Sequence, residues 1–246
     1  GKELTIGGRT LVMGILNVTP DSFSDGGKWN TRDMALRHME EMVRDGADII
    51  DIGAESSRPG FVPMSAAEET ERLLPFLEIV LAECPVPVSV DTFKAETARA
   101  ALRTGAHILN DIWGLQYAEE PREMARVAAD VDAPIIVMHN QHGTVYDADI
   151  IDEMRAFFAR SFAAADAAGL SRDKIILDPG IGFGKTAEQN MYVLRRMNDL
   201  VSYGGVDYPV LLGASRKSFI GAALGLPVEE RMEATGAACV MGIERG

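Results

Sequence analysis

Short apolar runs alternate with amphipathic stretches along the whole sequence, and this alternation narrows the possible folds more than any other feature. The runs cover residues 11–18, 48–53, 86–90, 108–111, 134–139, 174–178 and 209–213. Each is rich in Val, Ile or Leu and nearly continuous in hydrophobicity, the pattern of a parallel strand buried on both faces. Between them, residues 33–44, 66–83, 96–104, 150–168 and 186–200 carry the mixed spacing of helices that cover a sheet. Several of these stretches close on glycine, at Gly46, Gly105 and Gly169. Strand then helix, repeated, predicts an α/β fold with a parallel sheet.

Seven such strands are followed by one more helical segment, 229–245, and then Gly246. A closed eight-stranded barrel needs one further strand after that glycine, whereas an open doubly wound sheet could stop there. The strand count leaves both architectures open. The length of 246 residues matches the roughly 250 of a (β/α)₈ barrel. With no low-complexity linker or composition break, residues 1–246 are expected to form one domain, shortened at its C-terminal end.

The formal net charge of −13 repels polyanions and argues against a nucleic-acid partner. It also means that any phosphate site must be built from particular basic residues and backbone N–H groups. No apolar run approaches the roughly 20 residues of a membrane helix, so no membrane partner is expected. Cys84 and Cys239 belong to no CxxC or Cys/His cluster, which fits a reducing cytoplasm and gives a structural zinc site no support. No secretory signal opens the chain, and the expected location is cytoplasmic.

Polar residues gather at the ends of the predicted strands. Asn17 follows the first, Asp51 and Glu55 mark the second, and Asp91 the third. Asn110-Asp111 end the fourth, His139-Asn140 follow the fifth, Asp178 ends the sixth, and Ser215-Arg216-Lys217-Ser218 follow the seventh. In a parallel barrel all these ends open on one face. A single Asp there most simply caps a helix; the whole set favours a polar ligand pocket. Two connections, 19–27 and 54–60, are longer than ordinary strand-to-helix loops and are expected to act as lids. The segment 179–186 resembles a P-loop but has Pro179 where the first glycine is required. Its glycines are better read as a close turn at a pocket edge. Lys217 and its neighbouring hydroxyls enter a helix start, a place suited to an anion.

The segment Met13-Gly14-Ile15-Leu16-Asn17-Val18-Thr19-Pro20-Asp21-Ser22-Phe23-Ser24-Asp25-Gly26-Gly27 closely resembles the first signature of the dihydropteroate synthases. Ser56-Ser57-Arg58-Pro59-Gly60 resembles the second, and Ser215-Arg216-Lys217-Ser218 the late one. Val90-Asp91-Thr92, Asn110-Asp111 and Asp178-Pro179-Gly180-Ile181-Gly182-Phe183-Gly184 fall in the expected order. The resemblance implies a TIM barrel whose eighth strand is missing from this chain, and with it an Arg-x-His pair that binds pyrophosphate.

It also implies an activity, the joining of 6-hydroxymethyl-7,8-dihydropterin pyrophosphate to p-aminobenzoate. Asp91, Asn110, Asp178 and Lys217 would hold the pterin, and Asn17 would help hold Mg²⁺ on the pyrophosphate. Phe23 and Asp25 in the first loop, and Ser57, Arg58 and Pro59 in the second, would close over the site. Phe183 and Ser218 would line the p-aminobenzoate pocket that sulfonamides also occupy. Asp25, Arg58, Asp91 and Lys217 are the implied catalytic set, and a homodimer is the implied assembly. Two other readings share parts of this pattern: a pterin-dependent methyltransferase serving a corrinoid protein, and a pterin-binding barrel without activity. Gly53-Ala54-Glu55-Ser56 departs from the family's Gly-Gly-Glu-Ser, and Ser57 stands where threonine is usual.

Overall fold

The computed structural model describes residue 2 and residues 5–19, 28–55 and 64–246. Six parallel strands form one sheet: β1 (Met13–Asn17), β2 (Ile49–Gly53), β3 (Val88–Asp91), β4 (Ile108–Asp111), β5 (Ile135–Met138) and β6 (Ile175–Asp178). Helices connect them in turn: α1 (Lys28–Arg44), α2 (Ala66–Glu83), α3 (Ala95–Thr104), α4 (Glu123–Asp130) and α5 (Ile150–Ala168). The strands lie side by side in chain order. A doubly wound sheet reverses its strand order at a switch point, whereas a (β/α)₈ barrel does not. Strand order therefore decides what strand number left open, in favour of the barrel.

Beyond β6 come α6 (Ala187–Arg195), a hairpin of β7 (Ser202–Tyr203) and β8 (Val206–Asp207), then α7 (Ser218–Leu224) and α8 (Met232–Ile243). Three elements differ from the sequence-based expectation. The run 209–213 lies beside β6 but is not a strand: it makes a single parallel bridge, Leu177 with Val210. The bridge is held by Leu177 N–H donating to Pro209 O at 2.9 Å and Leu211 N–H donating to Leu177 O at 2.8 Å. Pro209 has no N–H to extend that ladder. No pairing among the described residues joins this run to β1 or supplies an eighth strand. Helix α4 was not expected; it is eight residues long and buries only Met124, Ala125, Val127 and Ala128, too short a repeat to stand out. The hairpin turns on Gly204-Gly205, a pair that favours tight two-residue turns.

The alternation of strand side chains builds two kinds of core. Outward-facing Leu16, Ile50, Ile52, Val88 and Val90 pack against Met39, Leu73, Leu77 and Val80 of the first two helices. Leu109, Ile135, Val137, Ile175 and Leu177 meet Met154, Phe158 and Leu194 on the other side. Inward-facing Ile49, Ile108 and Ile136 cluster with Met13, Ile176 and Leu211. This inner cluster is an apolar floor, each fully buried side chain contributing about 1.5–3 kcal/mol. Higher up, Phe93, Ile112 and Met138 pack with Trp113, Tyr117 and Phe183 to form an apolar rim. The polar strand ends lie between floor and rim.

Candidate functional site

Register places the key residues. Asn17 pairs with Gly53, Gly53 with Asp91, and Asp91 with Asn110, and residues paired across parallel strands point to the same face. One layer below sits Asp51, in register with Ile15 and Ser89. Asp178 closes the far side, paired with Met138. A Cβ at Gly53 would crowd its neighbour, lying 3.2 Å from Asp91 Cβ and 3.4 Å from its Oδ2. The small residue leaves room for the Asp91 carboxylate.

Five side chains, from β2, β3, β4, β6 and the residue before α7, are coupled. Asn110 donates from Nδ2 to Asp51 Oδ2 at 3.0 Å. Asp178 accepts the Gly180 N–H at 2.7 Å. Lys217, on the residue before α7, donates to Ile181 O and lies 4.8 Å from the centre of the Phe183 ring. Desolvation raises the Asp178 carboxyl above its ordinary range, opposed by the charge of Lys217. Burial in turn lowers Lys217, opposed by Asp178 and Asp91. Asp91 is held well above the usual carboxylate range by desolvation and then by the nearby Asp51 charge. Asp51 is itself raised by burial. Three carboxylates thus outnumber the cation that faces them. Like charges in a dry site suppress one another's ionisation, so the site favours a ligand that brings N–H donors or positive charge.

A second ionic cluster joins Glu55, just after β2, to α2 and to the residue before α3. The Lys94 ammonium donates to Glu55 and, at 3.0 Å, to Glu69 Oε2, all three buried. Glu55 Oε1 accepts the Met64 N–H at 2.8 Å, so one side chain ties together residues 55 and 64, which flank the undescribed stretch 56–63. Asp111 plays a different part from its neighbour Asn110. It faces outward and accepts from the N–H groups of Trp113 at 2.8 Å and Leu115 at 2.7 Å, folding the loop after β4. Its carboxyl is pushed up to about 6 by burial.

Of the residues expected from sequence, Asp91, Asn110, Asp178, Lys217 and Phe183 lie around this one site. Asn17 is exposed at the end of β1 and Ser218 is the exposed first residue of α7. Phe23, Asp25, Ser57, Arg58 and Pro59 lie outside the described residues. Two buried residues have a place in the site that the sequence did not give them: Asp51 was expected only as one of the strand-end polar residues, and Lys185 was assigned no role. Asp51 interrupts the apolar run Ile49-Ile50-Asp51-Ile52; a carboxylate inside a fully buried strand requires a partner, and that requirement was the available signal. Lys185 sits at the end of the glycine-rich turn after β6, where its place resembles that of a phosphate-loop lysine and nothing local in sequence marks its partners.

The chain matches a family profile described as pterin binding enzyme over residues 13–246. It is 49% identical over 242 residues to a dihydropteroate synthase of Clostridium beijerinckii, covering 98% of this chain and 87% of that one. The solved structure of dihydropteroate synthase from Clostridium difficile in the presence of pteroic acid has a TM-score of 0.93 at 48% identity, covering 99% and 90% of the two chains. That of Xanthomonas albilineans dihydropteroate synthase with 4-aminobenzoic acid has a TM-score of 0.89 at 38% identity, covering 97% and 85%.

Proposed function

The chain belongs to the dihydropteroate synthase family of pterin-binding enzymes, and from that premise we infer its reaction. It condenses 6-hydroxymethyl-7,8-dihydropterin pyrophosphate with p-aminobenzoate, giving 7,8-dihydropteroate and pyrophosphate in folate biosynthesis. The observation that carries this reading is the meeting of Asp91, Asn110, Asp178 and Lys217 between one apolar floor and one apolar rim. A flat heterocycle fits between such layers, and its donor–acceptor edges match the groups displayed. Carboxylates of Asp91 and Asp178 accept from the pterin's ring and amino N–H groups. The Lys217 ammonium donates to the ring carbonyl.

In the reaction the aniline nitrogen attacks the pterin methylene carbon, the carbon–oxygen bond to pyrophosphate breaks, and the nitrogen's extra proton passes to solvent. Positive charge develops on the pterin as the leaving group departs. Fixed negative charge at Asp91 and Asp178 stabilises it without reorganising at the moment of reaction. The reaction needs no protein nucleophile. Phe183 and Ser218 line the side from which p-aminobenzoate arrives, and sulfonamides, which share its shape, compete there. Phe23, Asp25, Ser57, Arg58 and Pro59 are assigned to the two loops that cover the site, with Asp25 and Arg58 acting on the substrates.

No group of three or more His, Cys, Asp or Glu that could hold a metal occurs among the described residues. That fits a Mg²⁺ ion that arrives with the diphosphate and keeps most of its ligands from substrate and water. Asn17, exposed beside Gly53 at the mouth, offers one amide oxygen to it. When bound, Mg²⁺ neutralises charge on the leaving group.

The whole of 1–246 is read as one barrel domain. Exposed Leu224, Met232, Val240 and Ile243 on the last two helices support pairing of two copies. No helix among the described residues is long and apolar enough to cross a membrane; we place the reaction in the cytoplasm. The test is direct incubation of the protein with the pterin pyrophosphate, Mg²⁺ and labelled p-aminobenzoate. Labelled dihydropteroate formed in step with pyrophosphate supports the assignment; tight pterin binding with no product would reduce the protein to a binding barrel.

A further inference from the structure

The turn from Pro179 to Thr186 presents three groups to the site: Phe183, the Ile181 carbonyl that accepts from Lys217, and the Gly180 N–H that binds Asp178. It contains three glycines and little side-chain bulk of its own, so something else must fix its shape. The structure holds it from beneath. Lys185, only 8% exposed, brings Nζ to 3.0 Å from Gly180 O, 3.0 Å from Phe183 O and 2.9 Å from His139 Nδ1. An ammonium has three N–H donors, and here it meets three acceptors. His139 is buried, its pKa pushed down to about 2 by burial and by the Lys185 charge, and the tautomer that leaves Nδ1 unprotonated supplies the lone pair for that contact. Asn190, also buried, fastens the same turn from the other side. It accepts Gly182 N–H at 2.7 Å and donates to Thr186 O at 2.8 Å.

We propose that Lys185, backed by Asn190, is a positioning residue for p-aminobenzoate: it pins the turn that carries Phe183 and the acceptor of Lys217. Burying an ammonium is costly, and an apolar side chain of the same length would fill the space. Such a side chain would leave Gly180 O, Phe183 O and His139 Nδ1 without their donor. The turn would then rearrange to recover those hydrogen bonds, moving the Phe183 ring with it. Lys185 makes no hydrogen bond to Asp91, Asn110, Asp178 or Lys217, but its charge favours the ionised Asp178 and the turn it holds carries partners of Asp178 and Lys217, so its loss acts first on the wall beside the pterin and, to a smaller extent, on the pterin's own contacts.

The inference rests on the reading of Phe183 as part of the p-aminobenzoate pocket, and the experiment separates the two. Lys185→Met, Asn190→Ala and Phe183→Ala are compared with the wild type by steady-state kinetics and by calorimetric titration of a pterin. Lys185→Met and Asn190→Ala are expected to raise KM for p-aminobenzoate by about tenfold or more, since small displacements of a binding wall are amplified in turnover. Pterin affinity is expected to fall by clearly less than p-aminobenzoate use, because the pterin keeps its direct side-chain contacts. If Phe183→Ala raises this KM while Lys185→Met does not, the positioning role is wrong and the site reading stands. If neither variant raises it, both fall together. Equal loss of pterin affinity and p-aminobenzoate use in Lys185→Met would mean general loosening and would overturn the proposal. Should Lys185→Met fail to fold, Asn190→Ala carries the same comparison by itself.

Discussion

Asn110 on β4 donates through its amide nitrogen to Asp51 on β2 at 3.0 Å, so the amide is oriented before any ligand arrives. With Nδ2 committed to Asp51, the amide oxygen is the end left to accept from a pterin N–H. Asp51→Asn removes the charged acceptor and lets the Asn110 amide turn. Pterin affinity should fall about tenfold, the net worth of one charge-assisted hydrogen bond. Calorimetry on the purified variant measures this; affinity equal to wild type would show that Asp51 does not orient Asn110.

Pterin affinity should also depend on pH. Asp91 and Asp178 must be ionised to accept from the pterin, yet desolvation holds both above the ordinary carboxylate range. Affinity is therefore expected to rise with pH as these carboxyls lose their protons. Isothermal titrations at a series of pH values rising from acidic to neutral and beyond would show it. A flat profile would mean that the carboxylates do not face the ligand.

The same burial has an opposite consequence for the unliganded protein. For Asp111 the folded pKa is about 6 against 3.8 for the free group. Between those values the native state binds more protons than the unfolded state, so this group's contribution to stability falls as pH rises through the window. Asp111→Asn should flatten the dependence of melting temperature on pH over that interval. An unchanged slope would show that Asp111 titrates normally.

Lys94→Met should be strongly destabilising. The ammonium lies between the buried carboxylates of Glu55 and Glu69, and removing one partner from such a cluster typically costs about 3–5 kcal/mol. Adding Glu69→Gln should recover part of the loss, because the two changes act on one network. Urea unfolding of the single and double variants decides it; a loss below about 1 kcal/mol in the single variant, the scale of an exposed pair, would contradict the cluster's burial.

Gly180→Ala should be as damaging for a different reason. Gly180 has φ of +66°, and a Cβ there would fall 2.0 Å from His139 O, a backbone atom that cannot swing away. Left-handed strain and overpacking together should cost roughly 2–5 kcal/mol. A variant with wild-type urea stability would mean that the turn after β6 has an alternative shape.

Much of this architecture could be read from the residues alone because six strands announce themselves as unbroken Val, Ile and Leu runs. The site was legible to the extent that its polar residues end those runs: Asp91, Asn110 and Asp178 each stand on the last inward position. What stayed hidden depends on contacts remote in sequence. Asp51 is visible as a strand-end carboxylate, but that it orients Asn110, 59 positions away, appears only in the fold. Lys185 looks like a failed phosphate-loop lysine until His139 is seen beside it. The seventh run read as a strand on hydrophobicity, but Pro209 has no N–H to extend a ladder, and among the described residues the run makes one bridge, Val210 with Leu177.

Everything proposed for this enzyme requires that Asp178 and Lys217 grip the same heterocycle. A double-mutant cycle on pterin binding tests that requirement most directly, with Asp178→Ala, Lys217→Met and the double variant titrated by calorimetry. Each single change should weaken binding at least about tenfold, and the double variant should lose clearly less than the two losses combined, as for residues sharing one ligand. Losses that simply add, or a pterin affinity untouched by either change, would contradict a common site.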